Sequence, residues 1–165
     1  MNNYIRSSLK TSHMKITTWL VLLLLTSVQL FAQDHPNPYT AVENFFDAFH
    51  SRDSLALQQV FSTKGRLMRS NDENGKSSLR ISAIDRFIKA ICRRPETPIW
   101  EEILGNPVVQ QHQHLATVWV PFQFYLDEQL SHCGINAFTL IWEDDRWKIL
   151  SLIDTIKNEC TDKSL

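Results

Sequence analysis

Residues 115–154, LATVWVPFQFYLDEQLSHCGINAFTLIWEDDRWKILSLID, decide the fold of this chain. β-Branched and aromatic residues dominate three runs, and short polar segments near residues 128–129 and 144–145 separate them. Runs of this composition between polar breaks predict three consecutive antiparallel strands joined by tight hairpin turns. The stretch is therefore expected to form the centre of an antiparallel sheet.

The residues before this stretch predict three helices and two short strands. Asn37 and Pro38 are typical of a helix start, and Asp53 is expected to cap a second helix. The apolar stripe of the first helix consists of Tyr39, Val42, Phe45, Phe46 and Phe49. A third helix is predicted between Ser82 and Pro95, and strands are predicted over 64–69 and 99–109. Helices that precede a run of strands indicate an α+β fold, with the helices packed on one face of a curved sheet.

The N-terminal residues predict an exported protein. Residues 16–32 form an apolar run that ends at Ala32, and the segment before it is basic, with no Asp or Glu. This pattern is typical of a signal peptide, with Met14 as an alternative start. We expect residues 1–32 to be cleaved and the mature protein to be periplasmic or secreted. A permanent membrane anchor is the alternative, but the run is at the short limit for a spanning helix.

The remaining chain is expected to form one domain. Residues 33–37 are predicted to be a linker, residues 38–160 a single domain with one core, and residues 161–165 a tail. The full chain has 17 Lys and Arg against 18 Asp and Glu, and removal of the basic leader makes the rest more acidic. No nucleic acid partner and no stable membrane insertion are expected, because both nucleic acid and anionic lipid need a basic surface.

The register of the two hairpins assigns side chains to the faces of the sheet. With residues 128–129 and 144–145 at the turns, Tyr125 is predicted to lie opposite His132. Neither resulting face is polar, so both must be covered. We expect the helices to cover one face and a second copy of the chain to cover the other, as a homodimer.

One predicted face combines large aromatic side chains with convergent polar groups, which is typical of a small-molecule pocket. Its predicted ligand contacts are Trp119, Gln123, Tyr125, His132, Asn136 and Ser151. His132 and Tyr125 form the predicted acid/base pair, since the pKa of histidine lies near neutrality. Asp154, or Asp47 and Glu43 on the first helix, could supply a carboxylate. The structural alternative is that Tyr125 and His132 only hydrogen-bond to each other at a strand end.

Three cysteines and one histidine pair could form a disulfide or bind a metal. The predicted register brings Cys160 towards Cys133, so a Cys133–Cys160 disulfide is expected in the exported chain, with Cys92 left over. His112 and His114 form an HxH pair that would share one side of a strand. No third ligand of matching spacing occurs nearby, so neither a metal site nor a cofactor is expected.

Four segments together resemble the nuclear transport factor 2-like (NTF2-like) superfamily, which includes the polyketide-cyclase-like group. They are AVENFFDAFHSRD (41–53), LATVWVPFQFY (115–125), SHCGINAFTL (131–140) and DRWKILSLIDT (145–155). The resemblance is greatest to small exported bacterial members of the lumazine-binding-like kind and covers residues 38–160. It implies a cone-shaped α+β fold, a pocket between the curved sheet and the helices, and often a dimer through the sheet.

Three functions are compatible with such a fold. The leading hypothesis is an exported protein that binds a small, largely apolar or aromatic ligand. The second is an isomerase, dehydratase or cyclase that uses His132 and Tyr125 as its acid/base pair. The third is a dimeric interaction module whose cone is filled by its own aromatic side chains. The sequence contains no counterpart of the acidic base, tyrosine and protonated aspartate of the superfamily's isomerases, which favours binding over catalysis.

Overall fold

A computed structural model describes residues 35–73, 75–157 and 159–160. The predicted signal peptide and tail lie outside these residues. The helices are α1 (Tyr39–Ser51), α2 (Ser54–Val60) and α3 (Ile84–Arg93). The strands are β1 (Phe61–Glu73), β2 (Lys76–Ser82), β3 (Trp100–Leu104), β4 (Val108–His112), β5 (Leu115–Leu126), β6 (Gln129–Glu143) and β7 (Arg146–Lys157). No helix in this part of the chain has the length and apolarity needed to cross a membrane.

Two of the predicted helix starts have the expected capping contacts. The Tyr39 N–H donates to Asn37 Oδ1 over 3.0 Å at the start of α1. At the start of α2, Asp53 Oδ1 accepts from the N–H groups of Leu55 and Ala56 at 2.9 and 3.0 Å. Each contact satisfies backbone donors that the helix itself leaves unpaired, and therefore fixes where the helix begins.

The strands form one sheet in the order β2-β1-β7-β6-β5-β3, and β4 also pairs with β5. The β1–β7 pair is parallel and the other pairs are antiparallel. The predicted α+β fold with helices on a curved, mainly antiparallel sheet is confirmed. The predicted strand 64–69 is part of the longer β1. Sequence patterning did not predict β2, because every residue from Lys76 to Arg80 is polar or exposed and no buried face marks the strand.

The helices cover one face of the sheet, which we call the inner face. Its central side chains include Val118, Val120, Phe122, Phe138 and Leu140, all at most 2 % exposed. The Phe45 ring of α1 packs on this face, with its centroid 6.0 Å from the ring of Phe138 and 5.7 Å from that of Phe61. Edge-to-face aromatic contacts of this kind add to the stabilisation from burial. The aromatic stripe predicted for the first helix is thus the core of the domain.

The predicted register of the first hairpin is wrong by one residue at the turn. The turn residues are Asp127 and Glu128, with φ of 49° and 63°, instead of residues 128–129. A tight hairpin turn with positive φ at both central residues suits Asp at the first position, because Asp adopts the left-handed conformation more readily than most residues. The second turn is at Asp144 and Asp145, as predicted, with φ of 53° and 57°.

Two β-bulges then change which residues face the helices. In β6 the partner of Tyr125 is Leu130, whereas the partner of Phe124 is His132, so one residue of β6 is left over. In β7 the partners of Leu140 and Thr139 are Ile149 and Ser151, which leaves out Leu150. Side chains alternate between the two faces of a strand, so each extra residue reverses the assignment beyond the bulge. Residues predicted to face the helices then lie on the opposite side, and the reverse.

The predicted ligand contacts therefore divide between two faces. His132 and Asn136 lie on the inner face, whereas Trp119, Gln123, Tyr125 and Ser151 lie on the opposite, outer face. The Tyr125 hydroxyl donates to Gln123 Oε1 over 2.9 Å on that outer face. The predicted Tyr125–His132 acid/base pair does not form, because the two side chains project from opposite sides of the sheet.

Cys133 and Cys160 form a disulfide, with Cα atoms 5.8 Å apart. It joins the strand β6 to the chain that follows β7, across 27 residues of sequence. Among the described residues Cys92 is the free cysteine, and it is half-buried against the core.

Candidate functional site

Five polar side chains meet on the inner face, beside the C-terminal end of α1. They are Arg69, Glu102, His132, Asn136 and Asp154, and we call them the inner polar cluster. Arg69, Asp154 and Asn136 are consecutive cross-strand partners on β1, β7 and β6. Glu102, Phe124 and His132 are consecutive partners on β3, β5 and β6. Two cross-strand rows from five strands thus build the cluster.

Glu102 and Asn136 form the buried part of the cluster. Asn136 is 3 % exposed, and its side-chain N–H donates to Glu102 Oε1 over 2.7 Å. Burial raises the pKa of Glu102 to about 7, and the negative charge of Asp154 acts in the same direction. The hydrogen bond from Asn136 and the charge of Arg69 oppose this rise without cancelling it. Glu102 can therefore gain and lose a proton near neutral pH.

Arg69 and Asp154 form an ion pair at the more exposed side of the cluster. Arg69 Nε donates to both carboxylate oxygens of Asp154, over 3.0 and 2.9 Å, and its Nη2 also donates to Oδ2. The Arg69 side chain is 46 % exposed and that of Asp154 is 15 % exposed. The guanidinium therefore has one edge on the carboxylate and the remaining donors towards solvent.

His132 is the half-buried imidazole of the cluster. Its ring stacks on Phe124, with the centroids 4.7 Å apart, and meets the edge of Phe122 at 5.9 Å. Its Nδ1 lies 3.1 Å from Ser131 Oγ. Burial lowers the pKa of His132, the charge of Arg69 lowers it further, and Asp154 opposes both. His132 is therefore neutral at pH 7 and able to accept a proton.

Gly134 lies beside the cluster in β6, midway between His132 and Asn136. A Cβ atom at this position would lie 1.8 Å from the carbonyl oxygen of Thr155 and 2.8 Å from Phe122 Cε1. Only glycine allows strand β7 to approach β6 this closely. Gly134 therefore permits the pairing of the two strands that hold Asn136 and Asp154.

β3 is held to the first helix directly behind Glu102. The Glu102 backbone N–H donates to His50 Nε2 over 3.0 Å. Burial lowers the pKa of His50, which favours the neutral ring that this hydrogen bond requires. The contact fixes the position of Glu102 relative to α1.

Sequence reasoning identified three members of the cluster and missed two. His132 and Asn136 were expected in the site, and Asp154 was expected as a carboxylate partner of His132. Glu43 and Asp47, the other expected carboxylates, are exposed on α1. Glu102 was missed, although it lies between Trp100 and Leu104 at a spacing of two, which places a carboxylate on the apolar side of a strand. Arg69 was missed because only its parallel pairing with β7 brings it to Asp154.

Two clefts among the described residues lie apart from the inner polar cluster. One, of about 560 Å³, is lined by residues of α2, β1, β2 and α3, including Ser62, Arg66 and Ile84. The other, of about 480 Å³, is lined by α1, α2 and the start of β7, including Asp47 and Trp147. Neither cleft includes a member of the inner polar cluster. In this structure the cluster is accessible mainly through Arg69 and His132.

The predicted HxH pair does not gather a set of metal ligands. His112 ends β4 and His114 lies in the following turn, where its ring is 4.9 Å from that of His35. Within the described ranges, no group of three or more His, Cys, Asp or Glu side chains has the spacing to hold a metal ion.

The similarity of this chain to known proteins is found in their three-dimensional structures. No protein-family model and no curated protein sequence matches the chain. An NTF2-like protein of unknown function from Shewanella baltica matches with a TM-score of 0.56 at 13% identity, covering 74% of this chain and 92% of that one. This chain has the NTF2-like fold. The sequence prediction of that fold is confirmed.

Two further NTF2-like structures support the assignment. An NTF2-like protein from Cytophaga hutchinsonii matches with a TM-score of 0.55 at 11% identity, covering 72% of this chain and 93% of that one. A candidate dehydratase of the NTF2-like family from Streptomyces avermitilis matches with a TM-score of 0.55 at 15% identity, covering 72% and 91%. At these identities the likeness concerns the fold, because unrelated functions share it.

Proposed function

We propose that this protein is exported and binds a small, largely apolar or aromatic ligand at the inner polar cluster. The apolar part of the ligand would lie against Phe124 and the ring of His132. Its polar part would contact the exposed donors of Arg69 and, deeper, the carboxyl group of Glu102. An apolar surface with a few convergent polar groups is the usual composition of such a site.

The observation that carries the proposal is the Glu102–Asn136 pair. Placing a carboxyl group beside a fully buried amide, on a face otherwise lined by aromatic rings, costs desolvation energy that an apolar side chain would avoid. A core built only for packing gains nothing from this pair. The neighbouring Arg69–Asp154 ion pair and His132 extend the same polar surface towards solvent, where a ligand could reach it.

A thermal-shift screen of aromatic and heterocyclic metabolites tests the proposal. A ligand present at about one hundred times its Kd should stabilise the protein by about 2.7 kcal/mol and raise its Tm. The shift should be lost in His132→Ala and reduced in Glu102→Gln, and retained in the matched control Glu101→Gln, whose side chain lies on the outer face. If no compound stabilises the wild type, or if Glu101→Gln weakens binding as much as Glu102→Gln, the proposal is wrong. The filled-cone interaction module would then be favoured.

An acid/base enzyme of isomerase or dehydratase type is the second candidate function. The specific observation in its favour is a buried carboxyl group with a pKa of about 7 in the same cross-strand row as His132, with Phe124 between them. Glu102 would take the place of Tyr125 in the predicted acid/base pair and, in its protonated form, act as the acid, while the neutral ring of His132 would act as the base. Turnover of any screened ligand should then fall by at least a hundredfold in Glu102→Gln and remain near wild type in Glu101→Gln. Equal turnover in both variants would exclude the role of Glu102.

A homodimer through the outer face is the third part of the proposal. An apolar cross-strand row runs over six strands of that face: Ile81, Met68, Ile153, Ala137, Trp119 and Val108. Its exposed members include Ile81 at 64%, Val108 at 59% and Trp119 at 54%. A continuous exposed apolar surface of this kind marks an interaction site. An apolar row on the exposed face of a sheet suits packing against the same face of a second copy.

Analytical ultracentrifugation tests the dimer. The wild type should sediment as a dimer, and Trp119→Arg should sediment as a monomer, since it places a charge at the centre of the interface. Leu55→Arg is the matched control, because Leu55 is 68% exposed on α2 and far from the row. A monomeric wild type, or a Trp119→Arg variant that stays dimeric, would contradict the proposal.

A further inference from the structure

The row of the sheet that contains the inner polar cluster continues to a second arginine. Arg69 on β1 has Asp154 as its partner on one side and Arg80 of β2 on the other. Direct cross-strand partners share one face and have Cβ atoms about 5 Å apart. Arg69 and Arg80 therefore lie side by side on the inner face, at the edge of the cluster, and Arg80 is exposed.

Two like charges directly opposite each other destabilise a strand pair. Asp154 compensates Arg69 through the ion pair, whereas the described contacts include no acidic side chain on Arg80. Burial raises the pKa of Glu102 to about 7, so Glu102 contributes less than a full negative charge near neutral pH. The half-buried His132 contributes no charge there. The edge of the cluster is therefore locally positive, on a protein whose formal net charge is -1.

We infer that the ligand of the inner polar cluster is an organic anion, with an aromatic or apolar body and a carboxylate, sulfonate or phosphate group held by Arg80 and Arg69. The inference rests on the proposed ligand-binding function and names its ligand class. The anionic group would supply the counter-charge that Arg80 lacks and would accept hydrogen bonds from the solvent-facing donors of both guanidinium groups. The apolar body would extend along the inner face towards Phe124.

The geometry also sets the order of the contacts. Arg80, Arg69, Asp154 and Asn136 follow one another along the row, one strand apart. A strand spacing of about 4.8 Å places Arg80 about 10 Å from the strand of Asp154. A ligand with its anionic group at Arg80 and a ring system of two fused rings would therefore extend past Arg69 to the strand of Asp154.

Two fluorescent probes that differ by one charged group test the inference. Anilinonaphthalene sulfonate and N-phenylnaphthylamine share the same ring skeleton, but only the first has a sulfonate. The wild type should bind the sulfonate roughly tenfold more tightly, as expected for one charge-assisted contact. Arg80→Gln should lose about that tenfold for the sulfonate and leave the Kd of the neutral probe unchanged, whereas Arg80→Lys should retain most of the preference.

Lys76→Gln is the matched control. It removes one positive charge from the same strand and the same face, four residues from Arg80, and should change neither Kd by more than about twofold, because surface charges beyond about 10 Å are screened. Arg80 is exposed and opposite a like charge, so Arg80→Gln should melt at or slightly above the wild-type temperature. If Arg80→Gln melts lower than the wild type, Arg80→Thr, which also lacks the charge, takes its place.

The outcomes separate this inference from the proposed function. Equal affinity of the wild type for both probes, or an unchanged sulfonate Kd in Arg80→Gln, overturns the anion preference. The proposed site stands in that case if binding is still weakened by His132→Ala. If neither probe binds the wild type, both the inference and the proposed ligand site are overturned.

Discussion

The most direct consequence of the inner polar cluster is an unusual dependence of stability on pH, with Glu102→Gln as the perturbation. The pKa of Glu102 is raised from 4.5 to about 7 in the folded protein. A carboxyl group whose pKa is raised by folding stabilises the fold while it is protonated. This contribution is complete below pH 4.5 and is lost as the pH rises through 7.

The size of the effect follows from the two pKa values. At about 1.4 kcal/mol for each tenfold change in proton affinity, the difference between 4.5 and about 7 corresponds to about 3 kcal/mol of unfolding free energy. Glutamine keeps an oxygen that can accept the hydrogen bond from Asn136 but has no charge to desolvate. We expect Glu102→Gln to match the wild type near pH 5 and to exceed its stability by up to about 3 kcal/mol at pH 8.5.

Two histidines change the unfolding free energy with pH in the opposite direction to Glu102, and their contribution must be subtracted. Burial lowers the pKa of both His50 and His132 below 6.5, so their contribution is present above pH 6.5 and is lost as the pH falls. Because both histidines are common to the wild type and the variant, the difference between the two curves isolates Glu102.

Urea unfolding followed by tryptophan fluorescence, at intervals between pH 5 and pH 9, measures this difference. The matched control is Glu101→Gln, which alters the neighbouring exposed carboxylate on the outer face and should give a curve parallel to that of the wild type above pH 6.5; below it, the charge of Glu101 also acts on the pKa of His50. The reasoning is refuted if the wild type and Glu102→Gln differ by the same amount at every pH. Such a result would mean that Glu102 titrates as an ordinary exposed carboxylate.

Three other predictions concern residues that position the site. Gly134→Ala should destabilise the protein by at least about 2 kcal/mol, because its Cβ would lie 1.8 Å from the Thr155 carbonyl oxygen. Asp53→Ala should cost about 1 kcal/mol, since it removes the cap of α2. Cys160→Ser should cost about 3 kcal/mol, because the disulfide closes a loop of 27 residues. Urea unfolding measures all three.

Matched variants control each of these. Gly75→Asn changes a glycine in the β1–β2 turn with φ of +77° and open space around it, so it should be nearly neutral. Ser54→Ala changes the residue after the α2 cap and leaves the Asp53 contacts intact. Cys92→Ser removes the free cysteine. Its unfolding curve should respond to reductant as the wild-type curve does, because the disulfide is intact. Gly134→Ala with wild-type stability would show that β6 and β7 can separate at this position without cost.

The sequence by itself determined the fold class, the starts of α1 and α2 and the apolar character of both sheet faces. These depend on local chemistry: Asn37 and Asp53 cap their own helices, and the aromatic stripe around Phe45 follows helical spacing. Asp144 and Asp145 form the second turn as predicted, because the conformation of a tight turn depends on the residues within it.

Only the tertiary structure decided which side chains share the site. One unpredicted bulge in each of β6 and β7 moved Tyr125 and Ser151 to the outer face, since a shift of one residue exchanges the faces of a strand. Arg69 and Glu102 reach Asp154 and Asn136 through pairings between strands far apart in sequence. Strand register and sheet curvature result from packing over the whole domain, so residue spacing along the chain cannot reveal them.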